Sequence, residues 1–160
     1  YLRSLVRGHV SGQMKVAPEH SEDRVLRRMG KPPSETLLHF KETFDALNRE
    51  EGKDQYLTYY LIAAHPGCTE QDMRALKAFT REDLHISPEE VQIFMPLPST
   101  YSALMYYTGK DPWSGEDLFV EKDVTRRERQ KLIVTAKADL RRSPPGALQR
   151  KPASPAKVRK

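Results

Sequence analysis

The chain has 160 residues, of which 38% are hydrophobic and 31% are charged, a composition typical of one polar globular domain rather than of a wholly disordered chain. No apolar run approaches the length of a transmembrane helix, and the amino terminus has neither a signal-peptide-like stretch nor an initiator Met, so a processed chain or a fragment is expected. The single cysteine, Cys68, excludes an internal disulfide and a Cys-rich zinc site, and a cytoplasmic location is the default expectation.

The net charge of +5 arises at the end of the chain. Residues 138–160 hold seven basic residues and one acid, whereas the first 137 residues hold 20 basic and 21 acidic side chains. The same segment is rich in proline and poor in large apolar residues, so it is predicted to be disordered. Any contact with nucleic acid or another acidic partner is therefore expected only through this basic tail, and the alternative is a solvated tail with no partner.

The first predicted elements are one strand and two helices. The strand covers residues 9–16, and the turn 17–20 follows it. Two helices are expected next, over residues 21–29 and 34–49, each with a serine as a candidate N-cap. The apolar residues of the longer helix recur at three- and four-residue spacing, which indicates one buried helical face.

The second half of the body repeats this alternation. Residues 55–64 are almost continuously apolar and β-favouring, as strands of a parallel sheet covered on both faces are. The turn 65–68 leads to a helix that runs to about residue 81, where Thr69 and Asp72 have the spacing of a capping box. A third strand is predicted at 91–94, and a last helix begins near residue 125 and ends near 137.

Strands alternating with helices predict an α/β fold with a parallel sheet and right-handed crossovers. Ligands of such folds bind beyond the carboxyl ends of the strands. Three polar or Pro/Gly-rich segments fall there, at residues 17–20, 65–69 and 96–100. The pattern alone leaves open whether they form a binding site or are plain connections.

These segments also carry a family resemblance over roughly residues 1–137. In order and spacing, the sequence resembles the C-terminal part of a YgiQ-type radical S-adenosylmethionine protein. More widely, residues 19–26 resemble the fourth strand of methylthiotransferase-like radical S-adenosylmethionine enzymes, and residues 61–69 resemble their fifth strand and its turn. The motifs that carry the resemblance are Lys15-Val16-Ala17-Pro18-Glu19-His20, Asp23-Arg24-Val25-Leu26, Met29-Gly30-Lys31-Pro32, Tyr60-Leu61-Ile62-Ala63-Ala64-His65-Pro66-Gly67-Cys68-Thr69, Val91-Gln92, Phe94, Pro96, Pro98, Met105-Tyr106-Tyr107-Thr108-Gly109 and Asp111-Pro112.

The resemblance implies the parallel-sheet half of a partial (β/α)6 barrel. Its expected parts are the C-terminal half of the barrel at 1–105, an extension ending in a helix at 106–137 and the disordered tail at 138–160. It also implies a 4Fe–4S cluster and S-adenosylmethionine, which is cleaved reductively to a 5′-deoxyadenosyl radical that acts on an unknown substrate. The family's Cys-x3-Cys-x2-Cys loop is absent here and Cys68 is not one of its ligands, so the chain alone is expected to be inactive and to need the upstream half of its barrel as a partner.

Residue roles follow from the resemblance one position at a time. Glu19 matches the fourth-strand acid that faces the cofactor, with satisfaction of nearby backbone amides as the alternative. His20 stands where relatives often have Ser and is expected to be a solvated or core-edge histidine, although it belongs to the candidate set. Ile62 and Ala64 are expected under the adenine or in ordinary strand packing. The candidate set is completed by His65, a possible adenine contact, and by Pro96; Gly67 is assigned to the turn.

Two residues depart from the family pattern, and one further segment has two possible roles. Ile93 replaces an acid, and Ser99 replaces the Gly before Thr, so substrate contacts after the third strand are in doubt. The aromatic segment 106–120 either caps the barrel mouth or packs under a long loop. The competing function is that of a non-enzymatic α/β binding module with a basic tail. A stand-alone hydrolase has weak support, because the sequence contains no HExxH or GxSxG motif.

Overall fold

The computed structural model describes residues 1–136. This part of the chain contains six helices and three strands in an α/β arrangement. The helices are α1 (Leu2–Gly8), α2 (Asp23–Met29), α3 (Ser34–Glu50), α4 (Glu70–Glu82), α5 (Tyr101–Thr108) and α6 (Val124–Thr135). The strands are β1 (Gln13–Glu19), β2 (Tyr56–Ala63) and β3 (Gln92–Ile93).

The strands form one parallel sheet in the order β1–β2–β3. Lys15 lies opposite Thr58, and a bulge after Val16 brings Glu19 opposite Leu61. On the other side of β2, Ile62 lies opposite Gln92. Because all strands run in the same direction, their carboxyl ends meet at one edge of the sheet, and the predicted α/β class with a parallel sheet is confirmed.

The main core lies between one face of β2 and the helices α4 and α6. Leu61 and Ala63 alternate along β2 and point into this core, where Met73 and Leu76 of α4 are fully buried. Burying a side chain of this size contributes about 1.5–3 kcal/mol relative to an exposed position. The opposite face of β2 is only half-buried, and Tyr56 is exposed. The expectation that helices cover both faces of this strand is therefore met on one face only.

The prediction of a strand over residues 9–16 was wrong at its start. Residues 2–8 form α1 instead, and β1 begins at Gln13. Leu2, Leu5 and Val6 have helical spacing, and Val6 is fully buried where α1 packs on α3. The connection to β1 is held by Gln55, whose amide donates to the carbonyls of Val6 and Val10 at 2.8 and 2.7 Å.

Of the predicted helix caps, the capping box of α4 is observed and the two serine N-caps are not. The capping box of α4 is present, with Thr69 and Asp72 exchanging hydrogen bonds as expected. The two serines are not N-caps, because Glu22 and Pro33 occupy those positions. Ser34 instead donates its backbone N–H and its hydroxyl to the Asp23 carboxylate, at 2.9 and 3.0 Å, and thereby links α2 to α3.

Helix α5 was not predicted at all. Its sequence lies between proline-rich turns and has only eight residues. Its N-cap is Thr100, whose hydroxyl accepts from the backbone N–H of Ala103 at 3.1 Å, and Gly109 ends it in the left-handed conformation. Tertiary packing of Ala103 and Met105 against the body stabilises a helix too short to be stable alone.

None of the helices in residues 1–136 has the length and apolar character needed to cross a membrane. The basic tail at 138–160 and the predicted boundary at 137 lie outside the described residues.

We expect the isolated chain to self-associate through β1. In the described part of the chain, β1 pairs only with β2, so its other edge presents unpaired backbone groups beside an apolar cleft of about 240 Å³ that Pro18, Leu37 and Phe40 help to line. Free edges of this kind template association. Sedimentation velocity at tens of micromolar is expected to show oligomers in the unmodified chain and fewer in Ala17→Glu, which adds a charge at the edge.

The matched control is Ala78→Glu, which adds the same charge on the exposed face of α4 and should leave association unchanged. A stable monomer of the unmodified chain at these concentrations contradicts the expectation.

Candidate functional site at the carboxyl ends of the strands

Glu19 is the last residue of β1, and its backbone is strained. Its φ of 69° lies in the left-handed region that non-glycine residues rarely adopt. Its carboxylate Oε1 lies 3.0 Å from the ammonium of Lys31, which also donates to the carbonyl of Ala17 at 3.1 Å. The carboxylate side chain remains about 20% exposed. Glu19 thus presents a charged acceptor at the strand end and has a local ion-pair partner.

His20 follows Glu19 and is buried rather than solvated. Only 1% of its surface is exposed. Nδ1 accepts from the backbone N–H of Glu22 at 3.1 Å, so Nε2 carries the proton and faces Cys68 Sγ at 3.4 Å. Burial, opposed by the nearby Asp72 carboxylate, lowers the pKa of His20 to about 4. The expectation of a solvated or core-edge histidine is corrected: the ring is a neutral core group that joins the ends of β1 and β2.

Cys68 is fully buried and not poised for nucleophilic or metal chemistry. Burial, with Asp72 as a further cause, raises the pKa of its thiol to about 12, and the thiolate is the form that attacks or ligates. Its sulfur also lies 3.5 Å from Met73 Sδ. The residues 1–136 contain no group of three or more His, Cys, Asp or Glu side chains placed to hold a metal ion.

His65, the second residue after β2, has partners for both ring nitrogens. Nδ1 donates to the carbonyl of Pro66 at 3.0 Å, and Nε2 accepts from the Ser102 hydroxyl at 2.8 Å. The ring packs edge-on against Phe94, with 5.0 Å between the centroids. Burial lowers the pKa of His65 to about 4. A hydrogen bond from this ring to an adenine would require the Ser102 hydroxyl to turn away.

Ile62 and Ala64 occupy different environments at the end of β2. Ile62 is half-buried on the sheet face opposite the main core. Ala64 is 1% exposed, has a φ of 58°, and donates its backbone N–H to Gln130 Oε1 at 3.0 Å. Pro96 follows β3 by three residues and is half-buried. The site therefore has two non-glycine residues, Glu19 and Ala64, in the left-handed region at neighbouring strand ends.

The turn after β2 is held from several sides. Gly67 has a φ of 83°, which supports the assignment of this glycine to the turn. Its N–H donates to the carbonyl of Phe119 at 2.7 Å, and its carbonyl accepts from Arg24 at 3.0 Å. The extension thus contacts the end of β2 through its backbone, and Asp111 of the extension lies 3.5 Å from the Arg28 guanidinium.

The departure at Ser99 has a backbone consequence. Its φ of 63° is in the region that glycine favours. A glycine, which the resemblance implies at this position, would suit that conformation, whereas a serine adopts it under strain.

Sequence reasoning did not identify Lys31, Ser102 or Gln130. Lys31 belongs to the motif Met29-Gly30-Lys31-Pro32, so the sequence offered a signal for its pairing with Glu19. Gln130 is 1% exposed and lies three and four residues before Ile133 and Val134 of the core, so its helical spacing was the available signal, although a polar residue is not expected on a buried face. Ser102 lies in the unpredicted helix α5. Both were missed because their roles depend on packing between distant segments.

No protein-family model matches the chain. It is 56% identical over 137 residues to a UPF0313 protein of Fusobacterium nucleatum, an alignment that covers 86% of this chain and 24% of the relative. It is 46% identical over 130 residues to a UPF0313 protein of Bacteroides thetaiotaomicron, with 81% of this chain and 20% of the relative covered.

A UPF0313 protein of Methanosarcina mazei is 40% identical over 134 residues, with 84% of this chain and 21% of the relative covered. The chain thus spans less than a quarter of the length of these curated relatives. Their identity over most of the chain agrees with the resemblance found from the motifs. The chain belongs to the UPF0313 family, that of the YgiQ-type proteins.

Proposed function

We propose that these residues form part of a radical S-adenosylmethionine iron–sulfur enzyme, corresponding to the C-terminal part of a YgiQ-type protein. The strand ends around Glu19, Ile62 and Ala64 contribute to its S-adenosylmethionine site. The observation that carries the proposal is the pair of left-handed non-glycine residues at the carboxyl ends of two adjacent parallel strands. Strain of this kind persists where surrounding structure holds it and clusters at ligand sites.

The chemistry of the strand ends suits a nucleoside-containing sulfonium cofactor. The Glu19 carboxylate is an acceptor for ribose hydroxyls or for an ammonium group, and its pairing with Lys31 shows that it already stabilises a cation. The half-buried side chain of Ile62 offers an apolar contact for a planar base. These residues fit binding and orientation of the cofactor.

The same residues do not fit a 4Fe–4S cluster. A cluster of this type is normally held by cysteine thiolates, and the chain has one cysteine, which is buried and whose pKa is raised. The proposal therefore assigns cluster ligation, and with it the reductive step, to parts of the family polypeptide outside these residues. The upstream half of the barrel is its proposed partner, and the substrate is left unassigned.

The test of the proposal is anaerobic iron and sulfide reconstitution of two proteins, the isolated chain and the full-length family polypeptide that contains it. We expect visible charge-transfer absorption, S-adenosylmethionine binding and release of 5′-deoxyadenosine upon reduction from the full-length protein only. Cys68→Ala should leave all three unchanged, because Cys68 is not a ligand. A stoichiometric cluster in the isolated chain, or no cofactor binding by the full-length protein, refutes the proposal.

In the full-length protein, Glu19→Gln is expected to weaken S-adenosylmethionine binding. The substitution keeps the shape of the side chain and removes one charge-assisted hydrogen bond, which costs about 1.5–3 kcal/mol or roughly 10- to 150-fold in affinity. Anaerobic titration calorimetry measures the change. Glu42→Gln, on the exposed side of α3, is the matched control and should bind as the unmodified protein does. Unchanged affinity in Glu19→Gln makes Glu19 a structural residue.

A further inference from the structure

Helix α6 contacts the main chain just beyond the ends of two strands. Gln130 accepts the backbone N–H of Ala64, the first residue after β2, at 3.0 Å. Arg127, almost one turn earlier on the same helix, donates from its guanidinium to the carbonyl of Phe94, the first residue after β3. Two side chains of one helix thus hold two neighbouring strand ends.

The contact to Ala64 is buried, and the amide oxygen of Gln130 is the strong acceptor in it. Gln130 and Ala64 are each 1% exposed. The Cys68 sulfur also lies within hydrogen-bond reach of the Ala64 N–H, but a thiol sulfur is only a weak acceptor and a poor substitute for the amide oxygen. A buried N–H that loses its acceptor is costly, so the acceptor determines whether the left-handed conformation of Ala64 is kept.

The contact to Phe94 also restrains the aromatic side chains of Phe94 and Tyr106, which lie beside the site. Phe94 packs against His65, and the Arg127 guanidinium also lies over the Tyr106 ring, 5.9 Å from its centroid. Tyr106 in turn packs against Phe94. The helix therefore fixes both the backbone after β2 and the side chains that flank it.

We propose that Gln130 and Arg127 are positioning residues that set the strand-end backbone of the S-adenosylmethionine site from outside the sheet. The proposal rests on the function proposed above and assigns the extension helix a part in cofactor affinity. It names no contact between either residue and the cofactor. Its consequence is that removing one buried acceptor on α6 loosens Ala64 locally and weakens cofactor binding.

The first arm of the test uses the 160-residue chain and amide hydrogen exchange resolved by residue. Gln130→Leu keeps the size of the side chain and removes the acceptor, and we expect the Ala64 amide to exchange about tenfold faster or more, while Leu76 in α4 keeps its rate. Gln130→Glu keeps an acceptor oxygen but buries a carboxyl group, so it should protect the Ala64 amide better than Gln130→Leu does, without full restoration. Glu128→Gln, on the exposed side of α6, is the matched control.

The second arm uses the full-length family polypeptide and S-adenosylmethionine affinity by anaerobic calorimetry. We expect roughly tenfold weaker binding in Gln130→Leu and in Arg127→Met, and native binding in Glu128→Gln. Arg127→Met provides a second variant should Gln130→Leu fail to fold.

The outcomes separate this proposal from the function it rests on. Unchanged Ala64 exchange, equal acceleration of Ala64 and Leu76, or native affinity despite faster Ala64 exchange each overturns the positioning role. If the unmodified full-length protein binds no S-adenosylmethionine, the proposed function is refuted and so is the role of α6 in cofactor affinity, even where the exchange data show that Gln130 restrains Ala64.

Discussion

Acidification from pH 7 to pH 4 is expected to remove a large part of the stability of this domain. His20 and His65 are 1% and 3% exposed, and burial lowers the pKa of each to about 4. In the unfolded chain the two histidines take up protons near pH 6.5, whereas in the folded chain they do so only near pH 4. The unfolded state therefore binds more protons in this window, and the free energy of unfolding falls as the pH falls.

The expected size is about 3 kcal/mol for each histidine at pH 4, or about 6 kcal/mol for both. This is comparable with the whole stability of a typical domain. Urea unfolding at a series of pH values between 7 and 4 measures it. His65→Gln should flatten the dependence by about half, and His39→Gln, at an exposed position on α3, should leave it unchanged.

The pH slope of the unfolding free energy, not the absolute stability, is the quantity to compare among these variants. A substitution at a buried histidine changes stability at every pH, whereas only the loss of a titrating group changes the slope. A slope in His65→Gln equal to that of the unmodified chain shows that His65 takes up its proton without penalty in the folded state.

Gly67→Ala is expected to destabilise the domain by about 2–4 kcal/mol. Two causes combine, since the φ of 83° is unfavourable for alanine and a Cβ there would lie 2.8 Å from Arg28 Nη1. A non-glycine residue held in such a region costs about 1–3 kcal/mol. The contact adds about 1 kcal/mol, at the low end of overpacking costs, because Arg28 Nη1 is the end of a flexible side chain. Thermal or urea unfolding of the variant measures the sum.

Gly52→Ala is the matched control for this substitution. Its φ is 60°, and a Cβ there meets nothing within 4 Å, so only the backbone cost of about 1 kcal/mol is expected. The difference between the two variants isolates the contact with Arg28. Equal losses in both would show that the Arg28 side chain moves aside at no cost.

The sequence predicted the conformation of the turn after β2 more accurately than it predicted the burial of the histidines. Gly67 was assigned to the turn because glycine tolerates positive φ, and Thr69 with Asp72 was recognised as a capping box; both depend on residues close together in the chain. His20 was expected near the surface and is instead buried against Cys68, 48 positions away. Burial of a polar side chain is decided by which distant segments meet, and no local pattern encodes that.

Local patterns by themselves determined the α/β class, the parallel sheet, the helices α2, α3, α4 and α6 and the segments that reach the carboxyl ends of the strands. These follow from periodicity and turn chemistry over a few residues. The tertiary structure alone decided that α1 packs on α3 and that the Ser102 hydroxyl donates to His65 Nε2. It also decided that Gln130 holds Ala64 across 66 positions of sequence. Each of these contacts joins segments far apart in the chain, and its free energy is gained only when the packed core brings them together.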